Sequence, residues 1–189
     1  MSAVPASVEA RPSLVRRRVI TAGALTIVGV AARPSQTFAK PNKEISRTEE
    51  AIHMVRVFHA LRQRVFAALT VQSQFDKIIQ LSGVMNSKEM KGMRRPTSLS
   101  PQVGSPFALF GGYIVGRQIE LIPNELIVQA WRALNWPAGM FSIARFALSD
   151  QEGSTKLVFN HAAFPKGQAE ELASGWQENY WNPLLKFLA

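Results

Sequence analysis

A chain of 189 residues is long enough for one domain, and the absence of cysteine excludes disulfides, thiol catalysis and thiolate metal sites. Its 22 basic against 13 acidic residues give a formal net charge of +9, which at first sight suggests a nucleic-acid partner. The distribution of that charge removes the suggestion, because much of the excess sits near the N-terminus.

The first residues read as an export signal. Arg16-Arg17-Arg18 is a positive start, Val19 to Ala32 is an apolar run of 14 residues, and Thr37-Phe38-Ala39 is a small-residue exit. Residues 1–39 are therefore expected to be a signal peptide cleaved after Ala39. The Arg-Arg-Arg-Val-Ile stretch looks like a twin-arginine signal, although Val15 stands where Ser or Thr is preferred. The alternative is an uncleaved anchor, but the run is short for a membrane span and contains two glycines. Without residues 1–39 the chain keeps 17 basic and 12 acidic residues, a mild and scattered +5. The expected location is periplasmic or secreted, with an export translocon as a transient partner and no membrane span after cleavage.

Lys40 to Glu50 is polar and reads as a linker, followed by one domain over 51–189. Ala51 to His59 mixes β-branched and aromatic residues and predicts a strand. Arg64–Thr70 and Phe75–Leu81 carry apolar residues at helical spacing, and Gly83 is placed to cap the second helix. Val84 to Pro106 predicts a loop with room for one strand. From Phe107 the pattern is a meander: strands over Phe107–Phe110, Tyr113–Ile122, Ile127–Arg132, Phe141–Leu148 and Lys156–His161, each closed by turn residues. Gly111-Gly112 lies between two of these strands. A phosphate loop would lead into a helix, whereas Tyr-Ile-Val follows here, so the pair predicts a two-residue hairpin turn. Leu172, Trp176, Tyr180 and Leu184 then recur every four residues, which predicts a long helix with one apolar face. Pro183 should kink or break it.

Strand alternation assigns faces. Leu157, Phe159 and His161 should point inward, as should Ala144, Phe146 and Leu148, with Arg145 opposite. Trp131 should point in and Arg132 out. In Tyr113–Ile122 the apolar set is Tyr113, Val115, Ile119 and Leu121, and Arg117 shares its face. An antiparallel sheet must cover its apolar face, and the aromatic helix is the available cover. A sheet wrapped round a helix often leaves an apolar cavity with a few polar groups, which is the form of a small-molecule site. The candidate cavity residues are Tyr113, Arg117, Trp131, Phe146, Phe159, His161, Trp176 and Tyr180. Trp131, Trp176 and Tyr180 read as core aromatics before they read as ligand contacts. His161 reads as a satisfied buried histidine before a catalyst, and Arg117 has the length to reach solvent. Met85, Met90 and Met93 are either packing filler or a flexible lip over a pocket mouth.

The segments VGSPFALFGGYIVGRQIELIPNELIVQAWR, SIARFALSDQEGSTKLVFNHAAFPKG and GWQENYWNPLLKFLA carry a family resemblance. Over about Ile52 to Ala189 the chain resembles the START-like helix-grip (SRPBCC) superfamily, in its subgroup related to the activator of the Hsp-90 ATPase. The resemblance implies an α+β helix-grip fold: a curved antiparallel sheet wrapped around a long C-terminal helix, with two short helices after the first strand. It implies a deep cavity and not one activity, since relatives bind lipids and other apolar ligands, cyclise polyketides or assist a chaperone. Three positions depart from the pattern. Ala60-Leu61-Arg62 removes the usual cap of the first helix. Gly104-Ser105 replaces a Gly-Gly, and Asn160-His161-Ala162 lacks an acid that would orient the histidine.

Three functions are open at this point. The first is an exported binding protein holding a hydrophobic small molecule or lipid, with no cofactor and no metal. The second is an enzyme acting on such a ligand, of cyclase, isomerase or hydrolase type, which needs an acid or base within reach of the substrate. Of the three histidines, His53, His59 and His161, only the last is expected inside. No HExxH, serine-elbow or carboxylate-ligand spacing is present, so no metal site is expected, and the mild, scattered charge left without residues 1–39 is why no nucleic-acid partner is expected. The third is a co-chaperone of a chaperone ATPase, which an export signal would keep from a cytosolic partner.

Overall fold

The computed structural model describes residues 50–189 except Glu89, Lys91 and Arg94. The expected export segment and all but the last residue of the expected linker lie outside the described residues. The elements are β1 (Ala51–Phe58), α1 (Arg62–Thr70), α2 (Gln72–Ser82), β2 (Pro106–Leu109), β3 (Ile114–Ile122), β4 (Leu126–Ala133), β5 (Ser142–Gln151), β6 (Ser154–Ala162), α3 (Ala169–Trp176) and α4 (Asn182–Leu188). A π-helical turn, Gln177–Trp181, joins the last two helices. The strands form one antiparallel sheet in the order β1-β6-β5-β4-β3-β2. β1 therefore pairs with the last strand, Val55 opposite Val158, and the α1–α2 pair is the excursion that brings the chain from that edge to the other.

Alternation is obeyed where the sheet is regular. Leu157, Phe159 and His161 in β6 are all fully buried, as is Ala144 in β5, with Phe146 and Leu148 close to it. The β5–β6 connection is a two-residue hairpin: Gln151 pairs with Ser154, and Glu152 and Gly153 both have positive φ. That is the turn whose twist matches right-twisted strands. α1 starts without a side-chain cap, since Leu61 stands at its N-cap and has no group to offer. Gly83 ends α2 at φ 69°, a left-handed cap that glycine adopts without strain.

Two sequence expectations are corrected. The Gly111-Gly112 connection is a four-residue loop, because Leu109 pairs with Ile114 and Phe110 to Tyr113 lie outside the ladder. Phe110, Gly111 and Gly112 all take positive φ, so left-handed backbone is required there, but over a wider turn. The face of β3 is the second. Ile114 and Gln118 are buried, while Arg117 and Ile119 are exposed, so the expected set is displaced by one residue. The strand begins at Ile114 and not at Tyr113, and a register shift between Gln118 and Glu120 inserts Ile119 as a bulge. After the bulge the parity reverses, and Leu121 returns to pack against the core.

Pro183 stands in the first turn of α4, and the α-helical run is interrupted just ahead of it by the π-helical turn. In a regular helix its ring would meet the carbonyl of Asn179 and its missing N–H would orphan that group. The wider turn before it, in which the Asn182 N–H donates to Gln177 C=O, carries the chain past that conflict with helical backbone on both sides. The extra residue in the turn also lets two consecutive aromatics, Tyr180 and Trp181, both be buried. One contiguous core results. Trp176, Trp181 and Leu184 pack from the helix, Phe146, Leu157 and Phe159 from the sheet, and Phe75 and Ile78 from α2.

Candidate functional site

A cavity of about 200 Å³ lies between α3, the π-helical turn and the β2–β4 end of the sheet. The sheet side contributes Phe110, Ile114, Trp131 and Ala133, and the helix side contributes Leu172, Trp176 and Tyr180. Val84 and Met90 approach from the segment after α2. The aromatic wall is continuous. The ring of Trp176 lies 4.1 Å from that of Tyr180 and 5.6 Å from that of Trp131, and Phe110 meets Tyr180 edge-on at 5.3 Å. Polar groups complete the lining: Tyr113, Asn135, Gln168, Glu171 and Asn179. Trp136, also in the lining, donates its Nε1–H to Gln168 Oε1 at 2.6 Å and ties the β4–β5 connection to the start of α3.

His161 is outside this lining and is fully engaged. Trp176 Nε1–H donates to its Nδ1 at 3.0 Å, which fixes that nitrogen as the acceptor. The proton must then sit on Nε2, which is 2.6 Å from Ser142 Oγ, and the Ser142 hydroxyl donates to the Trp131 carbonyl at 2.9 Å. Burial lowers the His161 pKa to about 3, so the ring is neutral at physiological pH. The chain of bonds runs from helix through β6 and β5 to β4 and holds Trp176 and Trp131 of the cavity wall in place.

Two buried polar atoms beside the cavity have no hydrogen-bond partner: Trp131 Nε1 and the Tyr180 hydroxyl. Burial pushes the Tyr180 pKa up, and the Trp131 N–H beside it opposes part of that shift without forming a well-directed bond. Tyr113 is also raised, by burial first and by the negative charge of Glu171 second.

Of the residues named from the sequence, the structure brings Tyr113, Trp131, Trp176 and Tyr180 together at the cavity. Phe146 and Phe159 lie behind it, packed on Trp176 at 5.7 Å and 4.4 Å. His161 lies with them. Arg117 is on the outer face of the sheet, where its guanidinium donates to the Gly104 carbonyl. Its displacement follows from the one-residue parity error in β3. Trp136, expected as a turn residue, was not foreseen in the lining, and neither were Gln168, Gly175 and Asn179, which flank the apolar stripe that begins at Leu172. Of the three methionines, Met90 lines the cavity, while Met85 and Met93 pack against the core beside it. Among the described residues there is no group of three His, Asp or Glu placed to hold a metal, and no helix long and apolar enough to cross a membrane.

Comparison with known proteins agrees with this architecture. Residues 59–189 match the family described as activator of Hsp90 ATPase homolog 1-like protein. The chain is 28% identical over 120 residues to the activator of 90 kDa heat shock protein ATPase homolog 2 of Mus musculus, a match covering 62% of this chain and 36% of that protein. It is 30% identical over 86 residues to homolog 1 of Homo sapiens, covering 46% and 25%. The match therefore spans about a third of the length of the first of these curated relatives and a quarter of the second. Among solved structures, an HSP90 activator from Plasmodium falciparum superposes with TM-score 0.61 at 23% identity, over 73% of this chain and 95% of that one. CalU16 from Micromonospora echinospora superposes with TM-score 0.58 at 19% identity, over 74% and 76%. With the sheet, the gripped helix and a match over most of the chain in hand, the chain belongs to the activator of Hsp90 ATPase homolog 1-like protein family.

Proposed function

We propose that this protein is an exported binding protein that holds a hydrophobic small molecule in the cavity between the sheet and the C-terminal helix. The observation that carries the reading is the aromatic-walled cavity of about 200 Å³ with polar groups gathered in one part of its lining. The volume favours a small ring-sized ligand over a whole lipid, since an apolar cavity of about 150 Å³ accommodates benzene. His161 has both ring nitrogens engaged, which argues for binding over acid–base catalysis at that residue. Export rests on the N-terminal segment, with the twin-arginine route, cleavage after Ala39 and a periplasmic or secreted product.

Expression of the full chain in a bacterium, recovery from the periplasmic fraction and native mass spectrometry against a denatured control tests both parts. A released small-molecule mass on a chain beginning at Lys40 is the expected result. A chain of intact leader found only in the cytoplasm would overturn the location, and no ligand mass after exposure to candidate apolar compounds would overturn the carrier function.

Family membership favours a second reading, stimulation of an Hsp90-type chaperone ATPase. It is tested by adding the purified chain to such a chaperone and measuring phosphate release. An unchanged rate at saturating chain would reject it.

A further inference from the structure

We propose that the ligand of this cavity is an apolar, ring-sized molecule carrying a protonated amine, with its ring on the buried aromatic floor and its ammonium at the mouth beside Glu171, Tyr113 and Asn135. The proposal rests on the binding reading above and adds the ligand's charge and direction to it.

The lining divides by exposure. Its aromatic floor, Phe110, Trp131, Trp136, Trp176 and Tyr180, is buried. Its polar members are all half-exposed or exposed, so they form the rim. A molecule that matches both has an apolar end inside and a polar end at the water. Part of the rim is assembled by bonds already on the page. The Leu134 N–H donates to the Tyr113 carbonyl at 2.8 Å, which sets Tyr113 beside the turn that carries Asn135. Trp136 ties that turn to Gln168, one residue before α3, and Glu171 stands in the first turn of that helix. Asn179 lies eight residues further along, roughly 12 Å by helical rise, and is out of reach of the same group.

The sign of the charge follows from what this part of the rim offers. Among the described residues Glu171 is the one charged group in the lining, and no Lys, Arg or His joins it. The ion pairs among the described residues are both made by Arg62, so Glu171 has none. Its negative charge is felt at the Tyr113 hydroxyl. The Asn135 side chain has no hydrogen bond to another described residue, so its carbonyl oxygen can accept from a ligand. Glu170 and Glu171 together oppose the positive end of α3, which removes the attraction that a helix start has for anions. A carboxylate ligand would meet repulsion here. A cation meets a carboxylate, neutral acceptors and the negative faces of the rings, and at the rim it keeps part of its water.

2-Phenylethylamine, 2-phenylethanol and phenylacetate share one ring and differ in the charge of the end group, which at neutral pH is positive, zero and negative. Affinities are measured by titration against the full chain, with tryptophan fluorescence as the local readout, since Trp131, Trp136 and Trp176 of the four tryptophans line the cavity. The amine should bind at least about threefold more tightly than the alcohol, and phenylacetate more weakly than either. Glu171→Gln keeps the size of an exposed side chain and removes its charge. In that variant, and in the parent at about 0.5 M salt, the amine-to-alcohol ratio should fall about two- to fivefold. An unchanged ratio in a variant that melts like the parent would overturn the proposal and leave the binding reading standing. So would an alcohol or phenylacetate that binds as tightly as the amine. Failure of all three to bind would overturn the binding reading, and this proposal with it.

Discussion

The indole N–H of Trp176 donates to Nδ1 of His161 at 3.0 Å, so a residue that could have been the site's base is instead an acceptor inside the core. The same bond fixes the orientation of a cavity-wall tryptophan whose other neighbours are rings: Phe159 at 4.4 Å, Tyr180 at 4.1 Å and Trp131 at 5.6 Å. One hydrogen bond thus sets both what the histidine cannot do and where the aromatic wall stands.

The pH dependence of stability follows from His161. Its pKa is about 3 in the folded chain against an ordinary value of 6.5. Between those values the unfolded chain binds the proton and the folded chain does not, so stability rises with pH across the window and is complete above it. From pH 6.5 to about 4.5 this group alone should cost about 2–3 kcal/mol, at about 1.4 kcal/mol per unit. Urea denaturation at the two pH values measures it. His161→Gln, which can still accept from Trp176 and donate to Ser142, should lose most of that slope, and an unaltered slope would remove His161 as its source.

Ser142 sits between His161 Nε2 and the Trp131 carbonyl. Ser142→Ala leaves one buried donor and one buried acceptor unmatched, and should destabilise by about 1–3 kcal/mol. The denaturation midpoint should fall at constant slope with denaturant.

Tyr180→Phe is expected to behave oppositely in the empty protein. The hydroxyl has no partner, so removing it deletes a desolvation cost with little loss of packing. Melting should be unchanged or a few degrees higher. A drop comparable to that of Ser142→Ala would show that the hydroxyl is satisfied in solution.

Gly111 has φ 65°, and a Cβ built on it would stand 2.5 Å from the Cβ of Met93. Gly111→Ala meets both strain and a clash and should cost about 2 kcal/mol or more. Arg117→Ala is the contrast: an exposed side chain whose bond is to a loop carbonyl. It should change stability by less than about 0.5 kcal/mol and leave cavity binding as it is, as measured by melting and by native mass spectrometry against a denatured control.

Much of the fold was legible because period and turn chemistry are local. Inward Leu157, Phe159 and His161, the β5–β6 turn and the Gly83 cap each depend on a few neighbouring residues, and they stand in the structure where the pattern puts them. The errors also have local causes that a pattern cannot register. A bulge at Ile119 changes the parity of β3 midway, and Gln118 is a polar residue on an inner face because it accepts from Gln129 at 3.2 Å and donates to the Ser100 carbonyl. Trp181 falls outside the four-residue stripe because the π-helical turn is wider than the period assumed.

By itself the sequence determined the α+β class, the order of strands and helices, the family, and which aromatics are apolar enough to be buried, since these follow from side-chain chemistry and spacing along the chain. Only the tertiary structure decided that Tyr113, Trp131, Trp176 and Tyr180 share a cavity with Trp136 and Glu171, that Arg117 faces away, and that His161 is locked while Tyr180 is not. Those outcomes depend on sheet register and on which polar atoms meet across elements distant in the chain, and a hydrogen bond's partner is a matter of position within a few tenths of an ångström.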